Sequence, residues 1–246
     1  CAQTKAIIGF EALARWQHPI HGHISPTVFI PLAEESGLIH QLGKNLILKA
    51  CQQLRTWQDE FPACQALTMS VNLSALQLSQ LDLSDYIAQV LETTGVHPNN
   101  LKLEITESFF LDNSEVAAIV LKKLKKLDIQ LYLDDFGTGY SSLSRLISLP
   151  LSTLKIDKSF VANKNWEILE LILALSQKLN LNVIVEGVET DKESAVLKDM
   201  GFQYMQGYLF SHPLTVEAAS ERLKTALKSN PNGQSSDALP QMLLAS

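Results

Sequence analysis

Apolar and polar residues alternate in seven short stretches, at about Lys5 to Arg15, Ala66 to Leu73, Asn100 to Thr106, Ile129 to Asp135, Ser152 to Asp157, Asn182 to Glu186 and Gln203 to Phe210. A period of two predicts strands, because successive side chains then point to opposite faces. The segments between them follow a helical period. Leu42, Leu46, Ala50, Leu54 and Trp57 fall on one helix face, and Ser25 with Pro26 opens another helix that Gly37 closes. Strands taking turns with helices imply a mostly parallel sheet. An open doubly wound sheet and a closed barrel of eight β/α units both satisfy the pattern, and the barrel needs one strand more. From Ser229 the chain reads Asn, Pro, Asn, Gly, Gln, Ser, Ser, Asp, the composition of a linker, so residues 1–228 are expected to form the domain and 229–246 a tail.

Parity within each strand sorts the polar residues. Leu101, Leu103 and Ile105 share one face and Lys102, Glu104 and Thr106 the other; Leu131 and Leu133 oppose Tyr132 and Asp134; Leu154 and Ile156 oppose Lys155 and Asp157. Asn72 opposes Val71 and Leu73, and Glu186 opposes Val183 and Val185. In a barrel the apolar face packs on helices, and inward polar residues near the strand ends gather at the mouth. Glu11, Asn72, Glu104, Asp134, Lys155, Glu186 and Gln206 are then expected to converge.

Composition narrows the chemistry. The chain has 20 Lys and Arg against 26 Asp and Glu, a formal charge of -6, which argues against a surface that binds duplex nucleic acid by neutralising phosphates. Three cysteines, at 1, 51 and 64, make neither a Cys-x-x-Cys pair nor a disulfide framework; Cys51 and Cys64 read as packing residues of a cytoplasmic domain. No apolar run approaches the roughly 18 residues that span a bilayer. The chain opens at Cys1 without a signal-peptide pattern and is expected to be a piece of a longer protein, which leaves a membrane anchor elsewhere open.

Glu11, Glu104, Asp134, Asp135 and Glu186 brought together would repel one another unless cations intervened. Hard oxygen ligands with an Asn amide and no nearby Cys or His point to Mg²⁺ or Mn²⁺. The adjacent Asp134 and Asp135 suit two ions, and paired ions suit phosphoryl displacement, so the chemistry suggested is phosphodiester hydrolysis.

Glu11-Ala12-Leu13-Ala14-Arg15-Trp16 resembles the signature of the EAL domain, the family of cyclic di-GMP phosphodiesterases. The resemblance continues through Val71-Asn72-Leu73-Ser74, Glu104-Ile105-Thr106-Glu107, the run from Asp134 to Leu143, Lys155-Ile156-Asp157, Glu186-Gly187-Val188-Glu189 and Gln206-Gly207-Tyr208. It implies an α/β fold, a modified (β/α)8 TIM-like barrel. The family's usual first helix and strand precede its signature, and they are expected to lie outside this chain.

The same resemblance implies the roles. Glu11, Asn72, Glu104 and Asp134 would hold one metal, Asp134 and Asp135 the second, with Glu186 binding the second ion or its water and acting as general base. Lys155 would hold the attacking water or the phosphate oxygens. Leu13, Arg15 and Gln206 would bind substrate, and Glu107, Asp157 and Glu189 would support the site. The implied activity opens cyclic di-GMP to linear pGpG with two Mg²⁺ or Mn²⁺ ions. A homodimer and an upstream sensor or cyclase domain are the implied partners.

Blander and rival readings stand beside these. Gly137-Thr138-Gly139 mimics a dinucleotide-binding turn, but Ser142 stands at its third position and two carboxylates precede it. His18, His21 and His23 read as a solvated loop, and Lys122, Lys123, Lys125 and Lys126 as a solvated helix face. The rival of a different class is a silent cyclic di-GMP receptor or protein-interaction module on the same barrel. Such receptors usually lose ligands, and the full set present here favours an enzyme.

Overall fold

A computed structural model of the chain describes residues 1–107, 115–139 and 143–229. Its strands are β1 (Gly9–Ala12), β2 (Trp16–His18), β3 (Gly22–Ile24), β4 (Thr68–Leu73), β5 (Leu101–Thr106), β6 (Gln130–Phe136), β7 (Thr153–Ile156), β8 (Asn182–Val185) and β9 (Tyr204–Met205). Its helices are α1 (Pro26–Glu35), α2 (Ile39–Glu60), α3 (Ala75–Leu78), α4 (Leu83–Thr94), α5 (Glu115–Lys126), α6 (Leu143–Ser148), α7 (Ser159–Ala162), α8 (Trp166–Lys178), α9 (Asp191–Asp199) and α10 (Val216–Ser229).

Seven strands make one sheet in the order β1-β4-β5-β6-β7-β8-β9, each parallel to its neighbours. Its two edge strands are not far apart. Six flat inter-strand steps of about 4.8 Å would separate β1 from β9 by roughly 29 Å. Yet Gln206, just past β9, donates from Nε2 to Glu11 Oε2 on β1 at 2.8 Å, and the Ala2 amide donates to the Gln203 carbonyl at 2.8 Å. The sheet is therefore curled into a barrel whose seam is crossed by side chains and by the leading segment. This decides between the two architectures, since an open doubly wound sheet holds its edges apart.

The outward residues of the strands and the inward faces of the helices form the core, with Leu101, Leu103, Ile105, Leu131, Leu133 and Leu154 all buried. The first and last sheet strands are shorter than the alternation suggests. Lys5 adopts φ +56, which no strand continues through, and the chain turns after β9 where the Phe210 and Ser211 amides donate to the Gly207 carbonyl. The histidine-rich loop is a hairpin of β2 and β3; His18 Nδ1 accepts the Ile20 and His21 amides and fastens its turn. Helix α1 starts on Ser25 and Pro26 as expected, with Gly37 left-handed just beyond it. On α2 the buried stripe is rotated to Gly43, Ile47, Ala50, Cys51, Leu54 and Trp57, because Gly43 lies so close to Gln77 that any side chain there would collide. The expected tail overlaps the last residue of α10; residues 230–246 and Tyr140–Ser142 lie outside the described residues.

Cys51 and Cys64 are buried and unpaired, and Cys1 is half-buried. Burial raises both inner thiols, that of Cys51 to about 12, and shields both from reagents in solution. A thiol reagent at pH 8 is expected to modify one group in the native protein and three after denaturation.

Candidate metal centre

Glu11 on β1, Asn72 on β4, Glu104 on β5, Asp134 on β6 and Lys155 on β7 all point into the barrel near the C-terminal strand ends, and Glu186 follows the last residue of β8. Parallel register places them side by side, with Asn72 opposite Glu104 and Thr106 opposite Asp134. The layer beneath is polar too. Lys102 and Tyr132 lie buried one inward position below Glu104 and Asp134, and Lys102 Nζ donates to the Asn99 carbonyl at 2.5 Å and to Gln130 Oε1 at 2.6 Å.

Lys155 is the hub. Its side chain is 1% exposed, and Nζ stands 2.6 Å from Glu104, 2.8 Å from Glu186, 3.0 Å from Asp134 and 3.4 Å from Glu11. Burial opposes its charge, but four carboxylates outweigh that and hold the ammonium well above its ordinary range. The acids respond in opposite ways. Burial lifts Glu104 to about 8 and Glu186 to about 7 against the pull of Lys155, and the other carboxylates add to the lift. For Glu11 burial is outweighed by Lys155 and by hydrogen bonds from Gln206 and Asn72, and its carboxyl is lowered.

The two aspartates reach the same rim through an irregularity. Leu133 pairs with Leu154 and Phe136 with Ile156, so β6 carries one residue more than β7 over that interval. The extra residue makes a β-bulge, and Asp135 adopts φ +53 within it. Regular alternation sends Asp135 to the outer face; the bulge turns it back beside Asp134. Sequence parity has no signal for this except the Gly-rich run that follows.

Two acidic trios result, Glu11 with Glu104 and Asp134, and Asp134 with Asp135 and Glu186, each with ligand oxygens within 4.8 Å of one another. Five carboxylates against one ammonium leave a formal -4, the charge that two divalent cations cancel. Asp134 is shared by both trios, and its buried Oδ1 lies 3.0 Å from the Lys155 ammonium outside hydrogen-bonding geometry. Asn72 donates through Nδ2 to Glu11 Oε1 at 2.7 Å, which ties it to the first trio. A carboxylate shared by two clusters of hard oxygen donors, with one ammonium among five acids, fits divalent cations.

The remaining expected residues fall in three places. Gln206 joins the rim through Glu11, and Glu107 sits behind it, accepting the Gly137 and Gly139 amides on Oε2 at 3.0 and 3.1 Å. Leu13 and Arg15 are exposed just beyond β1, Leu13 at 44%, where a ligand entering the mouth would meet them. Asp157 accepts the Ser159 amide at the start of α7 and contributes to the raised carboxyl of Asp135. Glu189 does not join the cluster. Its side chain is exposed, and its amide donates to Glu193 at the cap of α9.

Cation binding needs carboxylates, and Glu104 and Glu186 are protonated below about 8 and about 7. Affinity for Mn²⁺ is therefore expected to climb from pH 6 to pH 8 and then level off. Calorimetry at pH 7 in buffers of different ionisation enthalpy should register proton release.

Comparison with known proteins agrees with this geometry. The family model described as "EAL domain" matches residues 1–213. The chain is 42% identical over 221 residues to the oxygen sensor protein DosP of Escherichia coli, covering 88% of this chain and 27% of that protein. It is 40% identical over 223 residues to the cyclic di-GMP phosphodiesterase PdeR of the same species, covering 89% of this chain and 33% of that one. A solved structure described as PaMucR phosphodiesterase in a c-di-GMP complex superposes with a TM-score of 0.79 at 40% identity, covering 85% of this chain and 86% of the other. The chain thus spans about a third or less of these curated relatives' length. With its curled parallel sheet, its rim of carboxylates and a family match across most of its residues, this chain belongs to the EAL domain family.

Proposed function

We propose that this domain hydrolyses cyclic di-GMP to linear pGpG with two Mg²⁺ or Mn²⁺ ions. The observation that carries the reading is the pair of acidic trios joined at Asp134. The name and ligand of the PaMucR structure supply the substrate. Glu11, Asn72, Glu104 and Asp134 would hold one cation, and Asp134, Asp135 and Glu186 the other. Bound there, the pair would supply Lewis-acid polarisation of the phosphodiester oxygens and lower the pKa of water.

The chain's own groups do the rest. Lys155 keeps its proton and presents a fixed positive charge to the negative charge that grows on the phosphate oxygens. Glu186 stands on the solvent side of Lys155, 17% exposed, and takes the proton from the attacking water. The water oxygen bonds phosphorus as the ribose O3′ leaves and gains a proton, which yields a 5′-phosphate on the linear product. Arg15 grips a phosphate at the mouth, while Leu13 and Gln206 line the approach. Glu107 holds the turn after Asp135, and Asp157 acts as a support at the start of α7.

The domain works within a longer protein, downstream of a sensor or cyclase domain, and two copies pair. The cytoplasm is the compartment that its free thiols suit. Among the described residues no helix is long and apolar enough to cross a membrane. Chromatography of cyclic di-GMP incubated with the protein and Mn²⁺, with and without chelator, tests the activity. Metal-dependent pGpG is expected; binding without cleavage would establish the receptor reading instead.

A further inference from the structure

The bulge that brings Asp135 to the rim puts a non-glycine residue into the left-handed region, and such a conformation persists where its surroundings hold it. Glu107 grips two amides of the turn, and the Thr138 hydroxyl donates to the Asp135 carbonyl at 2.9 Å. A third hold comes from outside the turn. Gly137 has φ +98, and a Cβ built on it would lie 2.5 Å from Phe160 Cζ and 2.6 Å from Cε2. The ring edge of Phe160 fills the volume that a side chain at Gly137 would take.

Phe160 is itself anchored. Its ring packs against the cluster that contains Ile156 and Val161, its amide donates to the Asp157 carbonyl, and its carbonyl accepts the Asn165 amide at 2.9 Å. It is thus a half-buried wedge seated against the core cluster just after β7, with its tip against the turn that carries Asp135.

We propose that Phe160 is a positioning residue for the second acidic trio: its ring, pressed against Gly137, holds the bulge that keeps Asp135 beside Asp134 and Glu186. This rests on the two-cation reading above. Phe160 touches neither cation nor substrate; it acts through Asp135. The first trio does not use Asp135: it takes Glu11 from β1, Glu104 from β5 and Asp134 from a position of β6 still in register with Thr106 of β5.

Mn²⁺ binding to the whole chain without substrate, with free ion counted by electron paramagnetic resonance, tests this directly. The wild-type protein is expected to bind two ions. In Phe160→Ala one site should weaken roughly 10- to 100-fold while the other keeps its affinity, and Phe160→Leu should fall between. Turnover of the alanine variant should return at high Mn²⁺ with KM for cyclic di-GMP unchanged. Melting in chelator identifies a variant that has not folded, in which case the leucine variant decides. Two sites of wild-type affinity in both variants, or equal weakening of both sites, would overturn the assignment of Phe160. A wild-type protein that binds fewer than two ions would overturn the two-cation reading itself, and the assignment with it.

Discussion

Methionine in place of Lys155 should lower both stability and turnover, with only the first recoverable by metal. The ammonium is the shared partner of four carboxylates, 1% exposed and within 3.4 Å of each. Removing one side of a buried ion pair costs about 3–5 kcal/mol, because the charges left behind have no counterion. In chelator the midpoint of melting should fall by roughly 10 °C, given about 2–4 °C per kcal/mol for a domain of this size. Mn²⁺ should restore most of that loss by neutralising the same acids. Turnover should stay down by roughly 10²–10³-fold, the usual effect of losing one fixed charge aimed at a developing anion. Equal recovery of both would mean that Lys155 only balances charge.

Asp134→Asn should have the opposite pattern. Asp134 belongs to both trios, and the amide is isosteric but neutral with a single ligand oxygen, so this one change weakens the hold on each prospective cation. Turnover should drop by at least about 10³-fold, several kcal/mol of transition-state stabilisation. Stability in chelator should hold steady or rise by up to about 1 kcal/mol, since one of four like-charged carboxylates sharing the single Lys155 ammonium is neutralised. Glu11→Ala should also abolish turnover, but it affects one trio and the Gln206 contact across the seam. Kinetics and chelator melts of the two variants separate these effects.

Strand parity made most of the rim legible. A period of two fixes which residues share a face, and each of Glu11, Glu104, Asp134, Lys155 and Glu186 lies on the inner side with apolar neighbours buried outside. What parity cannot register is a change in its own phase. Asp135 should face outward, and only the extra residue against β7 turns it in. Strand ends were poorly legible for a related reason: β1 and β9 stop where backbone turns intervene, at residues whose side chains still alternate. The seam shows how a long-range contact escapes local pattern, because Gln206 meets Glu11 only once the whole sheet has curled. Phe160 left no trace in the pattern beyond an ordinary apolar residue, since its role depends on a ring meeting a glycine on the far side of α6 and β7 in the chain.

Anomalous scattering at the manganese edge from crystals grown with Mn²⁺ bears most directly on the rim as a paired cation site. Two peaks are expected, one among Glu11, Asn72, Glu104 and Asp134 and one among Asp134, Asp135 and Glu186. A rim without a peak, its oxygens arranged about Lys155 alone, would contradict the account.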